Sequence, residues 1–307
     1  MIRSLNRADL LSFLIFARHA PPNQAITRNS LGRRSLFSPE AILEHWLPLN
    51  GRRHTWVLEG DGRIDGAVSL KGGTSPTVWK IDCLQVSDEE QCVSLLETAS
   101  AGASERGVRK LFLILDSSDP LVNGARRAGF ASYNKDYLYR YSGKRVYHAG
   151  AAPGLYHLRN RTTADDFGLF QLYNAAAPTP VRTAEGMTLE EWSESREYGS
   201  WLEQRQDFIL EKQGRLVAWL HTNASRGGGS FEIIAHNLEV EGLEWLVRYA
   251  LRYLDGKSPI LCIVPAFQSQ MSGILEDSGF EQVAEYIASV KEIAIKVKQP
   301  QFVPMRA

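Results

Sequence analysis

The sequence repeats itself on the scale of a whole domain, and this repeat restricts what the chain can fold into. Residues Trp56-Val57-Leu58-Glu59-Gly60-Asp61-Gly62-Arg63-Ile64 return about 150 positions later as Phe208-Ile209-Leu210-Glu211-Lys212-Gln213-Gly214-Arg215-Leu216, a spacing far longer than a solenoid unit. One such echo is ordinary hairpin chemistry, with a glycine between two apolar runs. Three more echoes keep the same order. Arg109-Lys110-Leu111-Phe112-Leu113-Ile114-Leu115 aligns with Pro259-Ile260-Leu261-Cys262-Ile263-Val264-Pro265, and Ala128-Gly129-Phe130 with Ser278-Gly279-Phe280. Arg7-Ala8-Asp9 ahead of Ala20-Pro21-Pro22 matches Thr163-Ala164-Asp165 ahead of Ala176-Ala177-Pro178. A chain of 307 residues has room for about two domains. The repeat puts them at residues 1–145 and 154–300, joined by a linker carrying Gly143, Gly150, Pro153 and Gly154.

One template reads both halves. A short strand (1–5, 155–159) leads into a helix capped by Asn6 or Thr163. A long irregular stretch follows, then a second helix that starts at Ser38-Pro39-Glu40 or at Thr188-Leu189-Glu190-Glu191. A hairpin turns at Gly62 or Gly214, and a third strand covers 77–86 or 230–236. An amphipathic helix (89–106, 240–254) precedes an almost wholly apolar strand (108–115, 260–264), the pattern of a strand buried on both faces. A short helix then ends in Gly-Phe, and a last strand (133–141, 283–295) closes each half. This order is an α/β arrangement, a mixed sheet between helices.

Composition narrows the function. With 35 basic and 35 acidic side chains the chain has no net charge, so the expectation is neither nucleic-acid nor membrane binding. A local cluster, Arg28, Arg33, Arg34, Arg52 and Arg53, reads as a solvated loop or as an anion-contacting surface. Cys83, Cys92 and Cys262 lack metal or disulfide spacing and suit a reducing, cytoplasmic setting. The apolar stretch from Leu10 to Ala17 has a counterpart deep in the second half, so it reads as a folded helix, and no run is long enough to span a bilayer. No histidine shows ligand spacing, and no nucleophilic triad pattern appears.

The element order with its Gly-Phe helix ending resembles the GNAT superfamily of acyl-CoA N-acyltransferases. In the second half, Gln268-Ser269-Gln270-Met271-Ser272-Gly273-Ile274-Leu275-Glu276-Asp277-Ser278-Gly279-Phe280 is similar to the family's final-helix pattern. The resemblance covers each half and implies two tandem GNAT-like domains, each a mixed β-sheet flanked by helices. It also implies acetyl-CoA as acyl donor and a small-molecule or protein amine as acceptor. The family's pyrophosphate loop, Arg/Gln-x-x-Gly-x-Gly/Ala, works because glycines let backbone N–H groups at a helix start approach phosphate. Here the loops are degenerate. Val86-Ser87-Asp88-Glu89-Glu90-Gln91-Cys92-Val93 has no glycine and three carboxylates; His236-Asn237-Leu238-Glu239-Val240-Glu241-Gly242-Leu243 has one glycine. The acids also have a purely structural reading, as first-turn residues that favour the helix dipole.

The second half is therefore the better candidate, with Asn237, Gly242 and Leu243 as cofactor-binding residues. The family's general acid is a tyrosine on the last helix, and Leu275 and Ala125 stand there instead. A carboxylate on the central strand is the usual base, which points to Glu232, matched by Asp82 in the first half. On a buried strand its pKa should rise, although solvation or an arginine partner is the plain alternative. The loop over 175–187 is expected to wall the acceptor site, with Arg182 and Glu185 as substrate contacts and Trp192, Trp201 and Trp219 on the same side. Two functions remain open: an acyl-CoA-dependent N-acyltransferase active in the C-terminal half, or a catalytically inactive tandem fold that binds a small ligand or a protein partner.

Overall fold

The computed structural model describes residues 1–27, 53–72, 75–141, 143, 150–186, 188–190, 192, 204–225, 228–236 and 240–294. The helix expected from Ser38, most of the one expected from Thr188, Trp201, and every arginine of the basic cluster except Arg53 lie outside these residues.

The first half runs β1 (Ile2–Ser4), α1 (Leu10–His19), β2 (Arg53–Gly60), β3 (Arg63–Gly72), β4 (Val78–Gln85), α2 (Glu89–Ser104), β5 (Lys110–Asp116), α3 (Leu121–Arg127) and β6 (Ala131–Tyr141). The second runs β7 (Tyr156–Asn160), α4 (Asp166–Ala176), α5 (Thr179–Glu185), β8 (Gln204–Lys212), β9 (Arg215–Ser225), β10 (Gly228–Ala235), α6 (Val240–Tyr253), β11 (Ile260–Pro265), α7 (Gln270–Asp277) and β12 (Phe280–Glu292).

Local chemistry explains why the two halves match. Both hairpins turn on two residues of positive φ, Asp61 and Gly62 (46° and 74°) and Gln213 and Gly214 (52° and 75°), the backbone of a type I′ turn. Both carry a bulge at the same place, between Leu58 and Glu59 and between Leu210 and Glu211. An ion clamp is duplicated too. Arg3 binds Asp9 at 2.6 Å and Glu59 at 2.8 Å, while Arg159 binds Asp165 and Glu211, each at 2.7 Å. The clamped aspartates also accept the N–H of Asn6 and of Thr162, so one carboxylate caps the helix entry and ties it to the hairpin.

Among the described residues all strands form one 12-stranded sheet in the order β1-β2-β3-β4-β5-β12-β6-β11-β10-β9-β8-β7. The closing strands are exchanged. β6 lies between β12 and β11 of the second half, and β12 lies between β5 and β6 of the first. The linker near residue 150 thus marks the boundary of the repeat, while the sheet runs across it. Tyr139 and Tyr141 of β6 are buried among α6 and α7 residues such as Leu246 and Leu275. The last strands begin earlier than the pattern indicated, at Ala131 just after the first Gly-Phe and at Phe280 within the second, because the exchanged ladder pairs back to Phe280 opposite Tyr141 and Ala131 opposite Val290.

The expected loop over 175–187 contains a helix, α5. Pro180 sits in its first turn, where a missing N–H costs nothing. Its terminal carbonyls, Thr183 and Ala184, each accept a hydrogen bond from Lys110 Nζ at 3.1 Å, a cation at a helix C-terminus supplied by the other half.

Candidate functional site

A cavity of about 550 Å³ lies where the halves meet. β4, β5 and β6 supply Lys80, Phe112, Ile114, Tyr133 and Asp136; α4 and α5 supply Leu169, Tyr173 and Glu185. The second half's strands add Arg205, Asp207, Trp219, His221, Glu232 and Ile263. The exchange of β6 and β12 is what brings these two sets together. Asp136, Asp166, Glu185, Glu190, Asp207 and Glu232 line it against Lys80, Arg161 and Arg205, so acids outnumber permanent cations six to three.

Glu232, the expected base, is buried (5 % exposed) and stands on the cavity wall. It is the last β10 residue paired with β11, opposite Ile263; beyond it the two parallel strands part. Glu185 also lines the cavity, where Tyr133 donates to it at 3.1 Å and Tyr173 donates to its other oxygen. Arg182 does not line the cavity; one of its terminal nitrogens donates to Thr179 Oγ1 at 3.1 Å. Trp192 and Trp219 are part of the wall, their rings edge to face 6.4 Å apart.

Sequence reading missed a pair that the strands assemble. Asp207, His221 and Glu232 face one another in register across β8, β9 and β10. His221 Nδ1 lies 2.8 Å from Asp207 Oδ1, which also accepts the Trp219 indole N–H at 2.9 Å. Burial alone would raise the Asp207 pKa; the His221 hydrogen bond and charge, Trp219 and Arg161 outweigh it and hold the carboxyl below its ordinary value. The only sequence signal was the hairpin symmetry about Gly214, and the bulge shifts that register by one residue.

The first half lacks this chemistry. Thr55 and Ser69 take the places of Asp207 and His221, joined hydroxyl to hydroxyl at 3.1 Å. Asp82 has the arginine partner of the plain alternative, Arg53 at 2.5 Å, and is not part of the cavity. The gap between β4 and β5 is filled by the chain itself. These strands pair only from Val78 to Lys80, and residues 21–27 run into the opening beyond. Gln24 N–H donates to Leu84 O and Ile26 N–H to Ile114 O, both at 2.9 Å. Asn23 holds the Leu84 N–H and the Asp82 carbonyl; the Gln24 side chain holds Val86 on both sides. The corresponding stretch of the second half is α5, a helix that contributes Glu185 to the cavity wall.

The α2 start is likewise complete. Asp88 accepts the Gln91 N–H at 2.9 Å, Gln91 accepts the Ser87 N–H at 3.1 Å, and Arg127 binds Glu89 and Glu90 at 3.0 and 2.7 Å. The loop acids of this half act as a helix cap, Asp88, and as ion-pair partners of Arg127, Glu89 and Glu90. In the second half Asn237 lies outside the described residues, while Gly242 and Leu243 are buried in the first turn of α6. Leu243 packs into the core, so only its backbone is suited to an anion. The gap between β10 and β11 is bridged by one side chain: Gln268 donates to Ala235 O at 3.0 Å and accepts its N–H at 3.3 Å.

Other chemistries find little support. The buried thiols of Cys83 and Cys262 are pushed well above their ordinary pKa, by burial and then by Asp82 and Glu232 respectively. No metal-ligating cluster occurs among the described residues, nor any helix there long and apolar enough to cross a membrane. Leu275 and Ala125 are core residues with no proton to give.

No protein-family model and no curated protein matches the sequence. Solved structures do. A GCN5-related N-acetyltransferase from Sphaerobacter thermophilus superposes with a TM-score of 0.55 at 14% identity, covering 97% of both chains. The fold is that of the GNAT acetyltransferases. A tandem GNAT protein from the clavulanic acid biosynthesis pathway matches with a TM-score of 0.54, also at 14% identity, over 97% of this chain and 99% of its own. The superpositions show the GNAT fold in its tandem form, and identity this low leaves the reaction to be argued from the site.

Proposed function

We propose that the protein is an acyl-CoA-dependent N-acyltransferase whose one active site is built on the C-terminal half and walled by the N-terminal half. The observation that carries this reading is Glu232, a buried carboxylate where β10 and β11 part, on an acid-rich cavity. The parting strands leave backbone groups that an amide-bearing arm can pair with, as an added strand would. Gly242 at the start of α6 admits an anion to backbone N–H groups there, although Glu241 in the same turn opposes it. Acyl-CoA would supply the activated acyl group as a thioester; transfer to an amine that arrives as its ammonium would leave an amide, a thiol and one proton.

The chain's own residues would handle the amine. The excess of acids favours an ammonium over a carboxylate ligand, and Trp192, Trp219, Tyr173 and Phe112 favour one with an apolar body. Glu185, fixed by two tyrosines, would hold the ammonium, and Glu232 would accept a proton from nitrogen. The N-terminal half would bind no acyl-CoA because its gap is filled. The rival reading, an inactive ligand-binding fold, is favoured by the Gln268 bridge, which occupies the Ala235 edge.

Calorimetry with acetyl-CoA separates the two. The expected result is one site per chain, and a ligand at 100 times its Kd should add about 2.7 kcal/mol of stability. No binding at millimolar acetyl-CoA would eliminate the enzyme. With an active amine in hand, Glu232→Gln should lower kcat about 100-fold at unchanged acetyl-CoA affinity, and unaltered turnover would remove Glu232 from the mechanism.

A further inference from the structure

The cavity contains a second proton acceptor that the Glu232 assignment does not use. An amine that reaches the site as its ammonium must lose one proton before its nitrogen has a lone pair to attack with, and a second once the new bond has formed. A single carboxylate would have to discharge between the two. Resting on the acyl-transfer reading, we infer that His221 is a catalytic base that takes the first proton, with Asp207 as its positioning residue.

The geometry supplies each requirement. His221 lines the cavity, and its Nδ1 is committed to Asp207 Oδ1 at 2.8 Å. A carboxylate on Nδ1 places the imidazole hydrogen there and leaves the Nε2 lone pair as the acceptor. Asp207 is itself held by Trp219 and by Arg161, 3.9 Å away, so the ring has a fixed support. The proton step balances: an N–H bond of the ammonium breaks, its electron pair stays on nitrogen, and the proton joins Nε2 to give an imidazolium facing the Asp207 carboxylate. Directly opposed side chains on neighbouring antiparallel strands have Cβ atoms about 4.5–5.5 Å apart, and Glu232 is the cross-strand partner of His221. One nitrogen can therefore lie within reach of both acceptors. In the first half, Thr55 and Ser69 at the matching positions could not do this.

The test combines the state of the ring with turnover. In protein labelled with 15N-histidine, the neutral His221 ring should carry its hydrogen on Nδ1, and Asp207→Asn should move it to Nε2. A hydrogen on Nε2 in the unaltered protein would overturn the inference. In acetyl-CoA-dependent thiol release across a panel of primary amines, His221→Asn should lower kcat about 100-fold with acetyl-CoA Kd unchanged. Asp207→Asn should lower kcat less and leave the amine KM alone. Unchanged kcat in His221→Asn would overturn the inference and leave acyl transfer standing. Thiol release with no amine at all, despite bound acetyl-CoA, would overturn it as well. Failure of acetyl-CoA to bind would instead sink the acyl-transfer reading, in which case the inference falls with it.

Discussion

Asn23→Ala tests whether the N-terminal gap is filled by the chain itself. Three hydrogen bonds end on this side chain. Its Oδ1 accepts from Leu84 N–H at 2.8 Å and from Ala25 N–H at 3.0 Å, and its Nδ2 donates to Asp82 O at 2.9 Å. Each contributes about 0.5–1.5 kcal/mol net, which brackets the loss at about 1.5–4.5 kcal/mol. The site is only partly buried, so water replaces some of what is removed and the expected cost is about 2 kcal/mol. For 307 residues, at an unfolding entropy of about 2.1 cal/mol/K per residue, that lowers Tm by about 3 °C. Thermal unfolding reads the shift. Hydrogen exchange reads its location, because the Leu84 amide should lose protection while the paired amides of β3 keep theirs. Asn23→Asp keeps the acceptor but sets a carboxylate against the Asp82 carbonyl, so its cost should be intermediate. An unchanged Tm with Leu84 still protected would mean that residues 21–27 do not occupy the gap, and the assignment of a single site to the C-terminal half would lose its main support.

Gln268→Ala probes the other gap. If acyl-CoA uses the Ala235 edge, removing the bridge should tighten acetyl-CoA binding about 5-fold or more, the equivalent of one or two weak hydrogen bonds; calorimetry showing equal or weaker affinity would place the arm elsewhere. The duplicated clamps give a pH prediction. Hydrogen bonds from Arg3 and Arg159 hold Asp9 and Asp165 below the ordinary carboxyl value of 3.8. The unfolded chain therefore binds these protons first, and the clamps' contribution is complete above about pH 5 and is lost as pH falls through the folded values. Asp9→Asn and Asp165→Asn should cost similar stability at pH 7, add together because β1 and β7 lie at opposite edges of the sheet, and each cost less at pH 2 than at pH 7. Urea midpoints at both pH values would show it, and equal losses at pH 2 would refute the electrostatic origin.

What could be read from the sequence was local. The turn residues at Gly62 and Gly214, the apolar runs of β5 and β11 and the Gly-Phe caps act over a few neighbours, so each announces itself in a short window. They give two copies of an α/β unit and the order of its elements, and the resemblance gives the GNAT fold. Glu232 was legible because its repeat position and its strand were. Glu185 was reached through a loop that proved to be a helix, with a cap, Lys110, drawn from the other half.

The rest depends on contacts between distant residues. Alternation in a strand shows which side chains share a face and says nothing about which strand lies alongside. Nothing in Ala131–Tyr141 or Phe280–Glu292 indicates that each closes the other half's sheet, yet that exchange creates the cavity. Whether the stretch after the first helix becomes a plug or a helix likewise turned on its partners. Asn23 and Gln24 find open backbone on β4, whereas α5 finds Lys110. His221 carried no motif because its partner is fourteen positions away on the opposite strand, in a register set by one bulged residue. A fold written twice is legible in the chain because its signals are local; that residues 21–27 fill one gap while a single side chain, Gln268, spans the other among the described residues, and that both halves wall the cavity, follows from contacts between residues far apart in sequence.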